Sequence, residues 1–170
     1  LLSMSQTIDE RLAIQFYENN EFEKAESVFK KLYRRGSPSV VVYEYYLNTL
    51  IAMKKHKDAE RLVETQLRKF PNNLRLSEDL GVVYDRSGKN DKSKNYFDKV
   101  IKSSQSNIFK IRSLAEGFKR RGYIDEAIKT YELGVKKHGA PIFYIDLIYA
   151  YRMGLKAKDL IDFSLTLVAE

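Results

Sequence analysis

The chain has 170 residues, with 30 lysines and arginines against 23 aspartates and glutamates, so its formal net charge is +7. It has no cysteine and no tryptophan, and 44% of its residues are apolar. This composition excludes a disordered acidic tail, a collagen-like chain and a small disulfide-bonded secreted domain, and is typical of a globular protein.

The first four residues, Leu1 to Met4, are apolar apart from Ser3. They are similar to the end of an export signal, so we predict a periplasmic or otherwise exported protein, with a cytoplasmic location as the alternative. No run of the sequence approaches the ~18 consecutive apolar residues of a membrane-spanning helix. We therefore expect no direct insertion into a membrane.

The first helix is predicted to begin near Thr7. Thr7 and Glu10 have the spacing of a capping box, in which each side chain accepts a hydrogen bond from the other residue's backbone. The apolar residues Leu12 and Phe16 follow at a spacing of four and lie on one face of this helix.

An internal repeat organises the rest of the chain. A small residue recurs at intervals of 34 positions, and the fifth unit has a leucine at this place after 33: Ala25, Ala59, Ser93, Ala127 and Leu160. About twelve residues earlier, each unit has two large apolar residues four positions apart: Leu12 and Phe16, Tyr46 and Leu50, Leu80 and Tyr84, Leu114 and Phe118, Leu147 and Tyr151. This pattern predicts five helix-turn-helix units, at about 6–39, 40–73, 74–107, 108–140 and 141–170.

Turn residues agree with these units. Gly88 and Gly122 fall between the two helices of their units, where a positive φ is easiest for glycine, and Asn20 has a similar tolerance in the first unit. A small residue at the repeated position lets the second helix approach the first closely. Because Leu160 is larger, we expect the helices of the fifth unit to cross more loosely.

The third unit carries the residues of a known motif. It has Leu80, Gly81 and Tyr84, then the turn glycine Gly88, the small Ser93 and an aromatic residue at position 97. With the 34-residue period, this pattern resembles the tetratricopeptide repeat (TPR) family over essentially the whole chain. The opening, from Glu10 to Tyr33, is also similar to the start of exported bacterial TPR proteins of unassigned role.

The resemblance implies an all-α fold, a right-handed superhelical solenoid of five TPR-like helix pairs whose first helices line a concave face. It also implies a protein-protein interaction scaffold that binds a peptide or protein segment in this groove, since such repeats serve many binding tasks.

The residues give no support for an active site. His56 and His138 lie 82 positions apart, too far in a repeat protein to share a metal ion. No glycine-rich phosphate loop is present, and there is no cysteine nucleophile. We therefore predict no enzyme activity, no catalytic residues, no bound metal and no cofactor.

One stripe of the first helices avoids the packing pairs, and we predict that it lines the groove. One column of this stripe has a glutamate in each of the first three units and Arg112 and Ile145 in the last two, so we expect an acidic amino end and a basic carboxyl end. Its aromatic residues are typical of peptide anchors, although partial burial between neighbouring repeats is the alternative. The predicted groove residues are Glu10, Tyr17, Glu44, Tyr45, Asn48, Arg75, Glu78, Arg86, Phe109, Arg112, Glu116, Lys119, Arg120, Tyr149 and Arg152.

Two other kinds of partner are disfavoured. TPR domains that hold a chaperone's terminal carboxylate carry lysine, asparagine and arginine at set positions, and no register of this chain matches them. The basic residues cluster at the ends of the second helices and in turns, without the aromatic stripe of a single-strand-binding surface. We therefore predict protein or peptide partners and no nucleic acid.

The last predicted helix is apolar on two faces, through residues such as Ile161, Phe163 and Leu165. A repeat array needs a polar cap over its last core surface. We therefore expect that the chain is the N-terminal part of a longer protein, or that further repeats or a second copy cover this helix. The alternative function is a structural or assembly module of a cell-envelope complex that makes its contacts through this helix.

Overall fold

The computed structural model describes residues 7–36, 39–139 and 141–169. In these residues it has ten α-helices and no strand. The helices are α1 (Ile8–Glu18), α2 (Phe22–Arg35), α3 (Val40–Ala52), α4 (His56–Lys69), α5 (Leu74–Arg86), α6 (Asn90–Ser104), α7 (Ile108–Arg120), α8 (Ile124–His138), α9 (Tyr144–Met153) and α10 (Ala157–Ala169). The predicted all-α repeat fold, with two helices in each repeat, is confirmed.

Side-chain caps fix where several first helices begin. The capping box of α1 is present, with the Glu10 backbone donating to Thr7 Oγ1 at 3.2 Å and the Thr7 backbone donating to Glu10 Oε2 at 2.9 Å. Ser39 caps α3, and Asn107 caps α7 by accepting from two backbone N–H groups. These bonds satisfy amides that have no partner inside the helix.

The turns inside the repeats use left-handed backbone where it was predicted. Gly88 and Gly122 have φ of 76° and 83°, and Asn20 has φ of 59°. Lys54 and Leu155 also adopt positive φ, at 56° and 53°, although neither residue type favours it. The same turn geometry therefore recurs where the sequence offers no glycine or asparagine.

Contacts divide the chain into two compact units. We call residues 1–71 with 82–90 the N-terminal unit, and residues 72–81 with 91–170 the C-terminal unit. In the N-terminal unit, α1 packs against α2 and α3, α2 against α3, and α3 against α4. In the C-terminal unit, α8 packs against α7 and α9, and α9 packs against α10.

The small residues of the repeated column lie in the core. Ala25, Ala59 and Ala127 have no exposed surface, and Ser93 is 3% exposed. This burial is what a close crossing of two helices requires, because a larger side chain would overpack it. The side chain of Leu160 lies outside the described residues.

In the first repeat, Leu12 is not buried, although the repeat pattern predicts that it packs in the core with Phe16. Leu12 is 40% exposed and Phe16 is half-buried, while Ala13 has no exposed surface. The reason is that α1 packs against α2 and α3 through the side that carries Ala13. In the other four repeats both members of each predicted pair are buried.

Two sequence predictions concern membranes and export. Among the described residues, no helix combines the length and the apolar character that crossing a membrane requires. Leu1 to Met4, from which we predict export, lie outside the described residues.

Candidate functional site

The predicted groove tyrosines of the N-terminal unit pack against each other. The rings of Tyr17 and Tyr45 are 5.2 Å apart and nearly perpendicular, and Phe22 lies 5.7 Å from Tyr17. Both tyrosines are half-buried, and burial together with Tyr45 raises the pKa of the Tyr17 hydroxyl. The contact between neighbouring repeats, which was the alternative to peptide binding, is therefore present for these two rings.

The acidic residues predicted at this end are also engaged within the chain. Glu10 accepts hydrogen bonds from the Thr7 backbone and from Ser39 Oγ, the latter at 3.2 Å. Glu44 is half-buried and has its own interaction partner. Asn48 and Arg86 are exposed. The N-terminal unit therefore presents few predicted groove residues that are both charged and free.

The C-terminal unit exposes large apolar side chains on its first helices. Phe109 on α7 is 81% exposed, and on α9 Ile145 is 69% and Tyr149 is 56% exposed. Ile142, just before α9, and Met153, at its end, are also exposed. Ile145, Tyr149 and Met153 are spaced by four residues, so they lie on one side of α9. A face that only met water would carry charged residues at these positions.

Arg112 joins α7 to the start of α9. Its Nε donates to Asp146 Oδ2 at 2.9 Å, and its Nη2 donates to the backbone oxygen of Ile142 at 2.6 Å. The guanidinium also lies 5.8 Å from the centroid of the buried Phe143 ring. Arg112 was predicted as a groove residue, and its hydrogen bonds here connect α7 to the start of α9.

The carboxylate of Glu116 is held by two hydrogen bonds within the C-terminal unit. Its Oε1 accepts hydrogen bonds from Lys119 Nζ at 2.8 Å and from the hydroxyl of the buried Tyr131 at 2.6 Å. Burial alone would raise the pKa of Glu116, but these two hydrogen bonds and the charges of Lys119 and Arg120 together outweigh it, and the pKa is lowered. The carboxylate is therefore ionised and held in one place.

Three predicted arginines lie on the surface of the C-terminal unit. Arg75, Arg120 and Arg152 are all exposed. Arg120 and Arg152 form no salt bridge with any residue that the structure describes. Arg120 acts on Glu116 through its charge, but neither guanidinium group is held in an ion pair with a described residue, so both can pair with a carboxylate from outside.

Glu78 differs from its prediction as a groove residue because it is buried. Glu78 is 2% exposed and the neighbouring Asp79 has no exposed surface. Arg121 Nη1 donates to Glu78 Oε1 at 2.6 Å, and its Nη2 donates to Asp79 Oδ1. Burial raises the pKa of Glu78 to about 7, although Arg121 acts in the opposite direction. Two carboxylates thus share one guanidinium inside the unit.

Gly117 provides the space for the Glu78 carboxylate. A Cβ at position 117 would lie 2.6 Å from Glu78 Oε2, so the carboxylate would have to move from its present place. The need for a buried cation was visible in the sequence, because Asp79 interrupts the apolar stripe of Leu76, Leu80 and Val83. Nothing in the sequence indicated that Arg121, the residue after α7, supplies it.

The structure adds no metal centre to the residues it describes. No group of three or more histidine, aspartate or glutamate side chains there has the geometry to hold a metal ion. His138 Nε2 lies 2.8 Å from the Gln105 backbone oxygen, which gives this ring a local partner. His56 Nδ1 is buried without a hydrogen bond to any described residue.

Comparisons with known proteins agree with the repeat pattern. Residues 75–107, which are the third repeat, match the family model described as the tetratricopeptide repeat. This match confirms the resemblance to the TPR family. No curated protein matches the sequence.

Solved structures show the same fold. TTC0263, a thermophilic TPR protein of Thermus thermophilus, is 15% identical, with 95% of this chain and 87% of that chain covered and a TM-score of 0.51. A tetratricopeptide repeat protein from Parabacteroides merdae ATCC 43184 is 15% identical over 95% of this chain and 64% of that one, with a TM-score of 0.50. MamA from Desulfovibrio magneticus RS-1 is 18% identical, covers 82% of this chain and 73% of its own, and has a TM-score of 0.49. At these identities the likeness to TTC0263 and to the Parabacteroides merdae protein concerns the fold alone.

Proposed function

We propose that this chain is a non-catalytic scaffold that binds a peptide or protein segment on the exposed face of α7 and α9. We call this surface the C-terminal face and define it by Phe109, Ile145, Tyr149, Arg120 and Arg152. The exposure of Phe109, at 81%, carries the proposal most directly. The TPR resemblance supports it, because binding is the usual task of such repeats.

The apolar side chains of the C-terminal face are suited to be anchors. Burying one large apolar side chain contributes about 1.5–3 kcal/mol relative to leaving it in water. Aromatic and arginine side chains also dominate the energies of measured interfaces. Phe109 and Tyr149, with two free arginines on the same helices, therefore give a partner both apolar and charged contacts.

The C-terminal face is held in shape before any partner binds. Arg112 fixes α7 to the start of α9, and the Tyr131 hydroxyl and Lys119 fix Glu116 on α7. Helices that are already linked need no rearrangement on binding, so less of the contact energy is lost to ordering. The engaged tyrosines of the N-terminal unit have no such free surface.

The test is a selection of peptides from a random twelve-residue display library on the whole chain. We expect the selected peptides to bind the wild type, and a Phe109→Ser/Tyr149→Ser variant to bind them at least about tenfold more weakly in fluorescence anisotropy. Phe70→Ser is the matched control, because Phe70 is 57% exposed in the N-terminal unit. If the selection yields no peptide whose binding depends on Phe109 and Tyr149, the proposal is wrong.

The alternative, a structural or assembly module of a cell-envelope complex, is favoured by one observation. Ile161 and Leu165 are four residues apart on α10 and are 59% and 64% exposed. An Ile161→Ser/Leu165→Ser variant that loses self-association in sedimentation, while peptide binding is kept, would favour this alternative.

We also propose an exported, periplasmic location, on the sequence of Leu1 to Met4 alone. Cell fractionation of the native protein tests it, and recovery in the cytoplasm would contradict it.

A further inference from the structure

We infer that the partner segment of the C-terminal face is acidic and carries an apolar anchor a few residues from its carboxylates. This inference rests on the proposed function and adds the chemistry of the partner. It follows from which charges on α7 and α9 are already satisfied within the chain and which are not.

The charges of α7 and α9 leave an excess of cations. The two helices contain five basic and two acidic residues: Lys110, Arg112, Lys119, Arg120 and Arg152, with Glu116 and Asp146. Both acidic residues have partners within the chain: Asp146 is paired with Arg112, and Glu116 accepts hydrogen bonds from Lys119 and Tyr131. Arg120 also acts on Glu116 through its charge, but Arg120 and Arg152 form no salt bridge with a described residue, so both can attract a partner's carboxylates.

The two arginines lie on the same sides of their helices as the apolar anchors. Arg120 follows Phe109 by eleven residues, which is about three helical turns, and Arg152 follows Ile145 by seven, about two turns. At 1.5 Å per residue these steps measure about 16 Å along α7 and about 10 Å along α9. Each helix thus presents an apolar side chain toward its start and a guanidinium at its end.

This geometry sets the spacing that a partner must match. An extended chain advances about 3.3 Å per residue, so about three to five residues separate its apolar anchor from its acidic residues. A segment with that spacing along α7 places a carboxylate at Arg120 while its anchor contacts Phe109, and along α9 it does the same with Arg152 and Ile145. Basic segments are excluded by repulsion from the same two arginines.

A second copy of the chain is the competing occupant. The first helices α1 and α3 carry four acidic residues against one basic, so their net charge is opposite to that of α7 and α9. However, Asp9 pairs with Arg35, and Glu10 is hydrogen-bonded to Thr7 and Ser39. Those carboxylates are less available than the acidic side chains of a separate segment, so we favour a separate partner.

The experiment uses the peptides selected from the twelve-residue library on wild-type chain. We expect them to be net acidic, with an apolar residue three to five positions from a glutamate or aspartate. Replacing their acidic residues by glutamine, or changing the protein to Arg120→Glu/Arg152→Glu, should weaken binding by at least about tenfold. Lys136→Glu/Lys137→Glu is the matched control, because it changes net charge equally at exposed positions on α8.

The outcomes separate this inference from the proposed function. If the selected peptides need Phe109 and Tyr149 but are neutral or basic, or bind the Arg120→Glu/Arg152→Glu variant as tightly as the wild type, the inference is overturned and the proposed function stands. If sedimentation shows a dimer that this variant abolishes, the face joins two copies and the inference is overturned. If no peptide depends on Phe109 and Tyr149, both fail.

Discussion

The first helices of the two units use the same repeat positions in opposite ways. In the N-terminal unit the aromatic residues of the predicted groove, Tyr17 and Tyr45, pack against each other, and the carboxylates remain at the surface or half-buried. In the C-terminal unit the carboxylates Glu78 and Asp79 are buried around Arg121, while Phe109 and Tyr149 are exposed. The repeat pattern therefore sets the position of a side chain on its helix. The neighbouring residues determine whether that side chain is buried in the fold or exposed to a partner.

The largest effect is expected at the buried charges of the C-terminal unit. Arg121→Met leaves two buried carboxylates without their cation, which should lower the free energy of unfolding by about 3–5 kcal/mol. Urea denaturation measures this, and Arg120→Met, at the exposed neighbouring position, should change it by less than about 0.5 kcal/mol. If Arg121→Met does not fold, the triple variant with Glu78→Gln and Asp79→Asn should restore folding. Equal stabilities of the two single variants would contradict the role of Arg121.

The second effect is a loss of stability with rising pH, which we expect from the buried carboxylate of Glu78. Because burial raises the pKa of Glu78 from 4.5 to about 7, the folded chain binds a proton more tightly than the unfolded chain. The stability that Glu78 contributes is thus fully present below pH 4.5 and is lost as the pH rises to about 7. Relative to Glu78→Gln, wild-type chain should lose about 1–3 kcal/mol over this window, measured by urea denaturation at each pH.

Glu116→Gln is the control for this profile. The pKa of Glu116 is lowered, so the stability it contributes is present at neutral pH and is lost as the pH falls. Its difference from the wild type should therefore change with pH in the direction opposite to that of Glu78→Gln. Parallel profiles for the wild type and Glu78→Gln would show that Glu78 is not buried as described.

A smaller effect is expected from the tyrosine pair of the N-terminal unit. In a double-mutant cycle of Tyr17→Leu and Tyr45→Leu, edge-to-face rings should show a coupling of about 0.5–1.5 kcal/mol in the free energy of unfolding. If the effects of the two single substitutions are additive, the contact between the rings does not stabilise the fold. Tyr17 and Tyr45 would then again be candidates for binding a partner.

The smallest effect on stability is expected where the effect on binding should be greatest. Phe109→Ser and Tyr149→Ser should each change the free energy of unfolding by less than about 0.5 kcal/mol, because both side chains already face water. Thermal and urea unfolding measure this. A loss of several kcal/mol would show that these aromatics belong to the core and would remove the basis of the proposed binding face.

The fold was largely predictable from the sequence, because the 34-residue period, the small residues and the turn positions each limit how helices pack. The site was predictable in part. The stripe of Phe109, Tyr149 and Arg152 follows from helical spacing, and these residues are exposed. Whether Tyr17 meets solvent or Tyr45 depends on a ring contact between repeats, which no spacing reveals. Likewise, Arg121 reaches Glu78 across 43 positions of sequence, beyond any local pattern.

The residue at position 117 limits which residue position 78 can have. A glycine inside a helix lowers the stability of the helix by about 1 kcal/mol compared with alanine. Replacement of Gly117 by alanine would therefore be favoured if there were space for the added Cβ. Here alanine would push the Glu78 carboxylate away from the place where it accepts the hydrogen bond of Arg121. Relatives of this chain with a side chain at the position of Gly117 should therefore have a shorter residue at that of Glu78. Evolution can change the pair together more easily than it can change either residue alone.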